Sequence, residues 1–74
     1  GHGFATELTR AMLRRGFDEV GLDRIIAVTH PDNLVSQRVL AKAGLRDEGW
    51  GRYYGRDLRL FAMDIALWRA GVGR

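Results

Sequence analysis

Apolar residues at helical spacing open the chain. They recur every three or four positions along one stripe: Ala5, Leu8, Met12, Leu13, Phe17 and Val20. Arginines occupy positions outside this stripe, as expected of a helix with one buried and one solvated side. Gly21 follows directly and suits the left-handed conformation that ends many helices. We therefore predict a helix over residues 4–20 with a buried apolar face.

A run of apolar, largely β-branched residues follows at positions 25–29. The run is too short for a helix and predicts a strand buried on both faces. Pro31 holds the preceding residue extended, and Asp32 or Asn33 can then cap a second helix. The apolar stripe of that helix, which Gly44 ends, consists of Val35, Val39, Leu40 and Ala43.

The remainder of the chain predicts a hairpin. Residues 45–54 combine charged and aromatic side chains with two glycines, which indicates a bulged strand exposed on one face. Residues 54–57 form the turn. Residues 58–68 fit either a helix or a strand, and the hairpin favours a strand in which Asp64 needs an edge position or a partner. Residues 71–74 are predicted to fray.

These elements predict an α/β fold with a mixed sheet, in the order helix-strand-helix-strand-strand. The 74 residues, 46% hydrophobic and 28% charged, are enough for one small globular domain. A strand buried on both faces needs more covering structure than this length supplies. Because the chain also begins without methionine, we expect a fragment that self-associates or pairs with a missing half.

Composition excludes several classes of protein and site. The chain has no cysteine and only two histidines, so we expect neither disulfides nor a bound metal. No apolar run approaches the roughly 18 residues of a membrane span and no signal peptide is visible, so we expect a cytoplasmic protein without a membrane partner. The net charge of +3 leaves open a nucleic-acid surface built from basic residues, Arg10, Arg14, Arg15, Arg38 and Lys42.

The first six residues combine two glycines with the start of the first helix. Gly1 and Gly3 let an anion approach the backbone, and the first helical turn carries N–H groups without intrahelical acceptors. This arrangement can bind a phosphate group, although an ordinary turn before a helix has the same sequence. No strand precedes the glycines and no lysine follows them, which excludes a dinucleotide-binding fingerprint and a nucleoside-triphosphate loop.

Two stretches resemble the GCN5-related N-acetyltransferases (GNAT), specifically the C-terminal half of the subgroup that resembles ribosomal-protein-alanine N-acetyltransferases. Residues 1–7 resemble the pyrophosphate-binding turn of that family, and residues 30–45 resemble its second cofactor-contacting motif. The resemblance implies a partial acetyltransferase domain over residues 1–74. It also implies that acyl-CoA lies between two splayed parallel strands, of which residues 24–29 are the second.

The resemblance implies a set of residues that bind acetyl-CoA: Gly1, His2, Gly3, Phe4, Ala5, Thr6, Asn33 and Ser36. Backbone N–H groups of residues 1–5 would receive the pyrophosphate, with the Thr6 hydroxyl beside them, and Asn33 would bond the pantetheine arm. Leu40 occupies the position where many family members carry an acidic tyrosine. In the subgroup that the chain resembles, the serine three residues after the asparagine is thought to serve instead, so the resemblance makes Ser36 the catalytic candidate, as a hydrogen-bond donor to the departing thiolate. For Asn33 and Ser36, capping of the second helix is the alternative.

The implied reaction is direct attack on the thioester by an amine, either a small molecule or a protein N-terminus. Glu48 and Tyr53 are local candidates for the general base, and nothing in their spacing selects one. Two other functions remain open at this point. One is binding of CoA or another anion without chemistry, and the other is binding of nucleic acid by a small basic protein.

Overall fold

The computed structural model describes residues 2–71. Its elements in chain order are α1 (His2–Arg14), a π-helix (Arg15–Val20), β1 (Arg24–Thr29), α2 (Leu34–Lys42), β2 (Arg46–Tyr53), β3 (Arg56–Asp64) and α3 (Ile65–Arg69). The strands form one antiparallel sheet in the order β1-β3-β2. The predicted α/β class and element order are confirmed, with α3 added at the end, but the sheet within residues 2–71 is antiparallel rather than mixed.

The long first helix changes its winding part-way. Residues 4–20 are helical as predicted, but the last six of them form the π-helix. Gly21 ends it in the left-handed conformation with φ 83°, and the carbonyl of Gly16 accepts the N–H of Leu22 at 3.0 Å. A Cβ atom at Gly16 would lie 2.6 Å from Cδ1 of Ile25. Glycine therefore permits the close approach of this helix to β1.

The core lies between the helices and one face of the sheet. Its members are Leu13, Phe17, Ala43, Leu45, Phe61, Met63 and Trp68. The rings of Phe17 and Trp68 stack with centroids 5.7 Å apart, and Nε1 of Trp68 donates to Oδ1 of Asp18 at 2.8 Å. These contacts join α3 to the π-helix.

Strand β1 is not buried on both faces, so that prediction is wrong for this chain. It pairs only with β3, and Ile26 is 46% exposed. Nearby members of the predicted helix stripe, Leu8 and Met12, are also exposed. The physical reason is that Ile25 and Ala27 pack against the core, whereas no element within residues 2–71 covers the opposite face at Ile26.

The hairpin confirms the predicted bulge and turn. The register of β2 against β3 shifts between Asp47 and Trp50, and Gly49 there has φ 88°. Tyr54 and Gly55 turn the chain with positive φ at both positions, as a two-residue type I′ hairpin requires. Arg56 already belongs to β3, so the turn is shorter than predicted.

Residues 58–68 contain both structures that their spacing allows. They continue β3 as far as Asp64 and then form α3. Asp64 is the N-cap of α3, and its Oδ1 accepts the N–H of Leu67 at 2.8 Å. Of the predicted frayed end, Gly71 lies in the turn that closes α3, with its N–H donating to the carbonyl of Trp68 at 3.0 Å. Residues 72–74 lie outside the described residues.

Candidate functional site

An open cleft lies between α1, β1 and α2, beside the free edge of the sheet. Its volume is about 290 Å³ and its lining is mainly apolar, with three hydroxyl side chains. The lining residues are Ala5, Thr9, Ala27, Val28, Thr29, Val35, Ser36, Val39 and Leu40. The cleft therefore brings together Ala5 and Ser36, two of the residues predicted to bind the cofactor.

The first turn of α1 lies at one side of this cleft. The N–H groups of a first helical turn have no intrahelical acceptor and point along the axis away from the helix. Phe4 is 79% exposed, and a Cβ atom at Gly3 would meet nothing within 4 Å. The start of α1 is thus open to an anion. Gly1 and the side chain of His2 lie outside the described part of the structure.

Thr6 does not line the cleft. Its side chain is buried, and the residue borders a second depression between α1 and the end of α2. That depression is lined by Gly3, Thr6, Glu7, Arg10 and Lys42. The predicted contact of the Thr6 hydroxyl with pyrophosphate stays a prediction.

The start of α2 presents Asn33 and Ser36. Oδ1 of Asn33 accepts the backbone N–H of Ser36 at 3.1 Å, which confirms that Asn33 caps the helix. The turn before it is fixed by the N–H of Asn33, which donates to the carbonyl of His30 at 2.9 Å. Among residues 2–71, the cap occupies neither the amide nitrogen of Asn33 nor the hydroxyl of Ser36. Both groups can therefore serve a ligand while the cap stays intact.

The two candidate bases lie outside the cleft. Oε1 of Glu48 accepts from Nη2 of Arg24 at 2.5 Å. Arg24 is the first residue of β1, and Thr29, which lines the cleft, is the last. At about 3.3 Å per residue, the backbone of Arg24 lies roughly 17 Å along the strand from Thr29. Tyr53 lies towards the cleft end of the sheet, but its ring lies over Gly51, where a Cβ atom would be 2.6 Å from the ring. Neither side chain lines the cleft.

The bulge in β2 holds a carboxylate whose pKa is lowered. The N–H of Gly49 donates to Oδ1 of Asp47 at 2.8 Å, and Nη2 of Arg59 lies 2.6 Å from both carboxylate oxygens. First the Gly49 hydrogen bond and then Arg59 lower the pKa of Asp47. The guanidinium of Arg59 also lies 5.0 Å from the ring centre of Trp50. This cluster stabilises the hairpin and does not border the cleft.

Of the basic residues proposed for nucleic acid, Arg10 and Lys42 border one depression, and carboxylates pair with part of the charge. Arg10 pairs with Glu7 at 2.7 Å and Arg15 with Glu19 at 3.7 Å, both within the first helix. Lys42 lies at the end of α2. Because carboxylates neutralise part of this charge, the arrangement gives little support to a duplex-binding face.

Sequence reasoning missed Thr9, Val35 and Val39 of the cleft lining, whereas residues 27–29 lie in the strand that the resemblance places beside the cofactor. Thr9 follows Ala5 by one helical turn, and its hydroxyl donates to the carbonyl of Ala5 at 2.9 Å. Residues 27–29 end the strand that leads into α2. The place of these residues in the sequence indicates the cleft, because ligands of α/β proteins commonly lie where a strand ends before a helix.

A sequence model of the family described as acetyltransferase (GNAT) domain matches residues 1–46. The chain belongs to the GNAT acetyltransferase family. The predicted family is therefore confirmed, and the matched residues include every residue that lines the cleft. In the described part of this GNAT chain, no helix is long and apolar enough to cross a membrane. The same residues contain no group of three or more His, Cys, Asp or Glu side chains that could bind a metal ion.

Comparisons with proteins of similar sequence or structure indicate the same family. The uncharacterized N-acetyltransferase YnaD of Bacillus subtilis is 48% identical over 48 residues, which are 65% of this chain and 28% of YnaD. A GNAT-family acetyltransferase from Bacillus anthracis superposes with a TM-score of 0.77 at 36% identity, covering 86% of this chain and 42% of that one. RimJ of Mycobacterium smegmatis, in complex with CoA-disulfide, superposes with a TM-score of 0.78 at 33% identity, covering 95% and 41%. The GNAT chain thus spans less than half the length of each.

Proposed function

We propose that this GNAT chain is the acetyl-CoA-binding part of an N-acetyltransferase. The observation that carries the proposal is the cleft in which the start of α1 and Ser36 of α2 flank the end of β1. The family match over the same residues supports it, as does the structural likeness to RimJ, whose structure contains CoA-disulfide.

The start of α1 is the proposed seat of the CoA pyrophosphate. N–H groups of residues 2–5 donate to its oxygens, and each hydrogen bond to a charged group contributes about 1.5–3 kcal/mol. The helix dipole adds roughly 0.3–1 kcal/mol. The open space at Gly3 allows the phosphates to approach the backbone.

The pantetheine arm then passes along the cleft towards α2. The apolar side chains of Ala27, Val28 and Val39 exclude water from its methylene groups. The amide nitrogen of Asn33 is available to donate to a carbonyl of the arm while its oxygen caps α2. This placement brings the thioester to the start of α2, where Ser36 lies.

Ser36 is the proposed catalytic residue. A primary amine attacks the thioester carbonyl, the C–N bond forms, the C–S bond breaks and CoA leaves as thiolate. The Ser36 hydroxyl donates a hydrogen bond to the sulfur as negative charge develops there. The amine proton must pass to a base, and neither Glu48 nor Tyr53 borders the cleft. The acceptor is either a small-molecule amine or a protein N-terminus.

Substitution at Gly3 tests the proposal. Gly3→Leu places a branched side chain where phosphates approach, so we expect CoA affinity measured by isothermal titration calorimetry to fall by more than about tenfold. That loss corresponds to roughly 1.4 kcal/mol, less than one charge-assisted hydrogen bond. Gly3→Ala is the matched control because its methyl group meets nothing within 4 Å. Equal CoA affinity for the unmodified chain and Gly3→Leu would contradict the proposal.

Binding of CoA without chemistry is the second candidate function. The absence of both candidate bases from the cleft lining favours it. The two functions differ in release of free CoA thiol from acetyl-CoA in the presence of primary amines. We expect little or no release by the 74 residues alone. Release at rates near the ordinary enzyme range of about 1–1000 s⁻¹ would show that this chain needs nothing more for catalysis.

A further inference from the structure

The side chain of Arg10 joins the two helices that form the walls of the cleft. Its Nη2 atom donates to the backbone carbonyl of Lys42 at 3.2 Å, and its Nη1 atom donates to Oε1 of Glu7 at 2.7 Å. The Nε atom is enclosed and has no hydrogen-bond partner within residues 2–71. The guanidinium is therefore held at two points between α1 and the end of α2.

The carbonyl of Lys42 is a specific target for this side chain. Carbonyl groups in the last turn of a helix lack intrahelical donors. The carbonyl groups of Val39, Leu40 and Ala41 accept backbone N–H groups of the turn after α2, at 3.0–3.1 Å. The Lys42 carbonyl instead accepts from Arg10. The negative end of the α2 dipole also favours a cation at this position, which strengthens the bond.

We propose that Arg10 is a positioning residue for CoA, and this inference rests on the proposed function. Arg10 does not line the cleft, but the preceding residue, Thr9, does. Ser36 and Val39 form the opposite wall on α2. Ser36 lies six residues before Lys42, or about 9 Å along the helix axis at 1.5 Å per residue. By fixing the end of α2 against α1, Arg10 sets the width of the space that receives the pantetheine arm.

Comparing the affinities of two ligands distinguishes a positioning role of Arg10 from a general effect on folding. CoA contains the pantetheine arm, whereas 3′-phospho-ADP has the same nucleotide and pyrophosphate without it. The pyrophosphate seat lies on α1 alone, so its affinity does not depend on where α2 lies. Loss of Arg10 should weaken the binding of CoA and leave the binding of 3′-phospho-ADP unchanged. A variant that merely unfolds part of the chain would weaken both.

Titration calorimetry on the full chain tests this with Arg10→Met, which keeps side-chain length and removes every donor. We expect CoA affinity to fall about 3- to 30-fold, the range for substitutions that act through packed elements. Arg14→Met is the matched control, because it removes the same charge from the same helix, and we expect no change there. In Arg10→Lys a single ammonium can still donate to the Lys42 carbonyl, so part of the loss should be recovered.

Three results would overturn the inference. The first is equal CoA affinity for Arg10→Met and Arg14→Met, and the second is an equal loss for both ligands in Arg10→Met. The third is failure of the unmodified chain to bind either ligand, which identifies the proposed function itself as the error. If circular dichroism shows Arg10→Met unfolded, Glu7→Met replaces it. That variant removes the carboxylate that orients Arg10, and the same selective loss of CoA affinity is expected, with equal affinity counting against the inference.

Discussion

At the scale of the residue, Asn33 at the start of α2 can cap the helix through its amide oxygen and contact a ligand through its amide nitrogen. Sequence left capping and cofactor contact as alternatives for Asn33 and Ser36. In the structure the oxygen of Asn33 caps α2 through the backbone of Ser36, and the Ser36 side chain faces the cleft. The cap is confirmed and the cofactor contacts stay a proposal. Sequence could identify these residues because polar groups at a helix start are few and their spacing is fixed.

Asp47 gives the residue-scale prediction on pH. Its pKa in the folded chain lies below the ordinary value of 3.8, so its carboxylate contributes stability at pH values above 3.8. That contribution is lost as pH falls from 3.8 through the folded pKa. Asp47→Ala should therefore lower the Tm at neutral pH, and the difference from the unmodified chain should shrink below pH 3.8. Thermal unfolding followed by circular dichroism measures this, and a Tm difference that is constant across the range would contradict it.

At the scale of the element, spacing predicted which segments are helices and strands but not how they are covered. The apolar run of β1 indicates that both faces of the strand can be buried, yet burial depends on neighbours, and none within residues 2–71 covers the face at Ile26. Residues 58–68 carried two overlapping periodicities because a strand and a helix follow each other there. Glycine at position 16 is explained by close packing of the helix against Ile25. Such contacts between distant residues leave no local signature.

At the scale of the whole molecule, the family could be identified from two short motifs, and the resemblance placed the cofactor beside residues 24–29, but the full lining of the cleft could not be predicted. Its lining includes ordinary apolar residues of β1 that only packing brings beside α1 and α2. The general base could not be assigned, and the structure removes support from both candidates. The predicted association with another chain and the cytoplasmic location stay predictions. The chain spans 28% of YnaD, so the activity of a complete protein rests on the proposal above.

A crystal structure of the 74 residues grown with CoA tests the central claim most directly. We expect the pyrophosphate to lie against the N–H groups at the start of α1, within hydrogen-bond distance of residues 2–5. The pantetheine arm should pass between α1 and α2 along the end of β1, with its sulfur next to the Ser36 hydroxyl. A pyrophosphate bound at any other place on the chain would contradict the account.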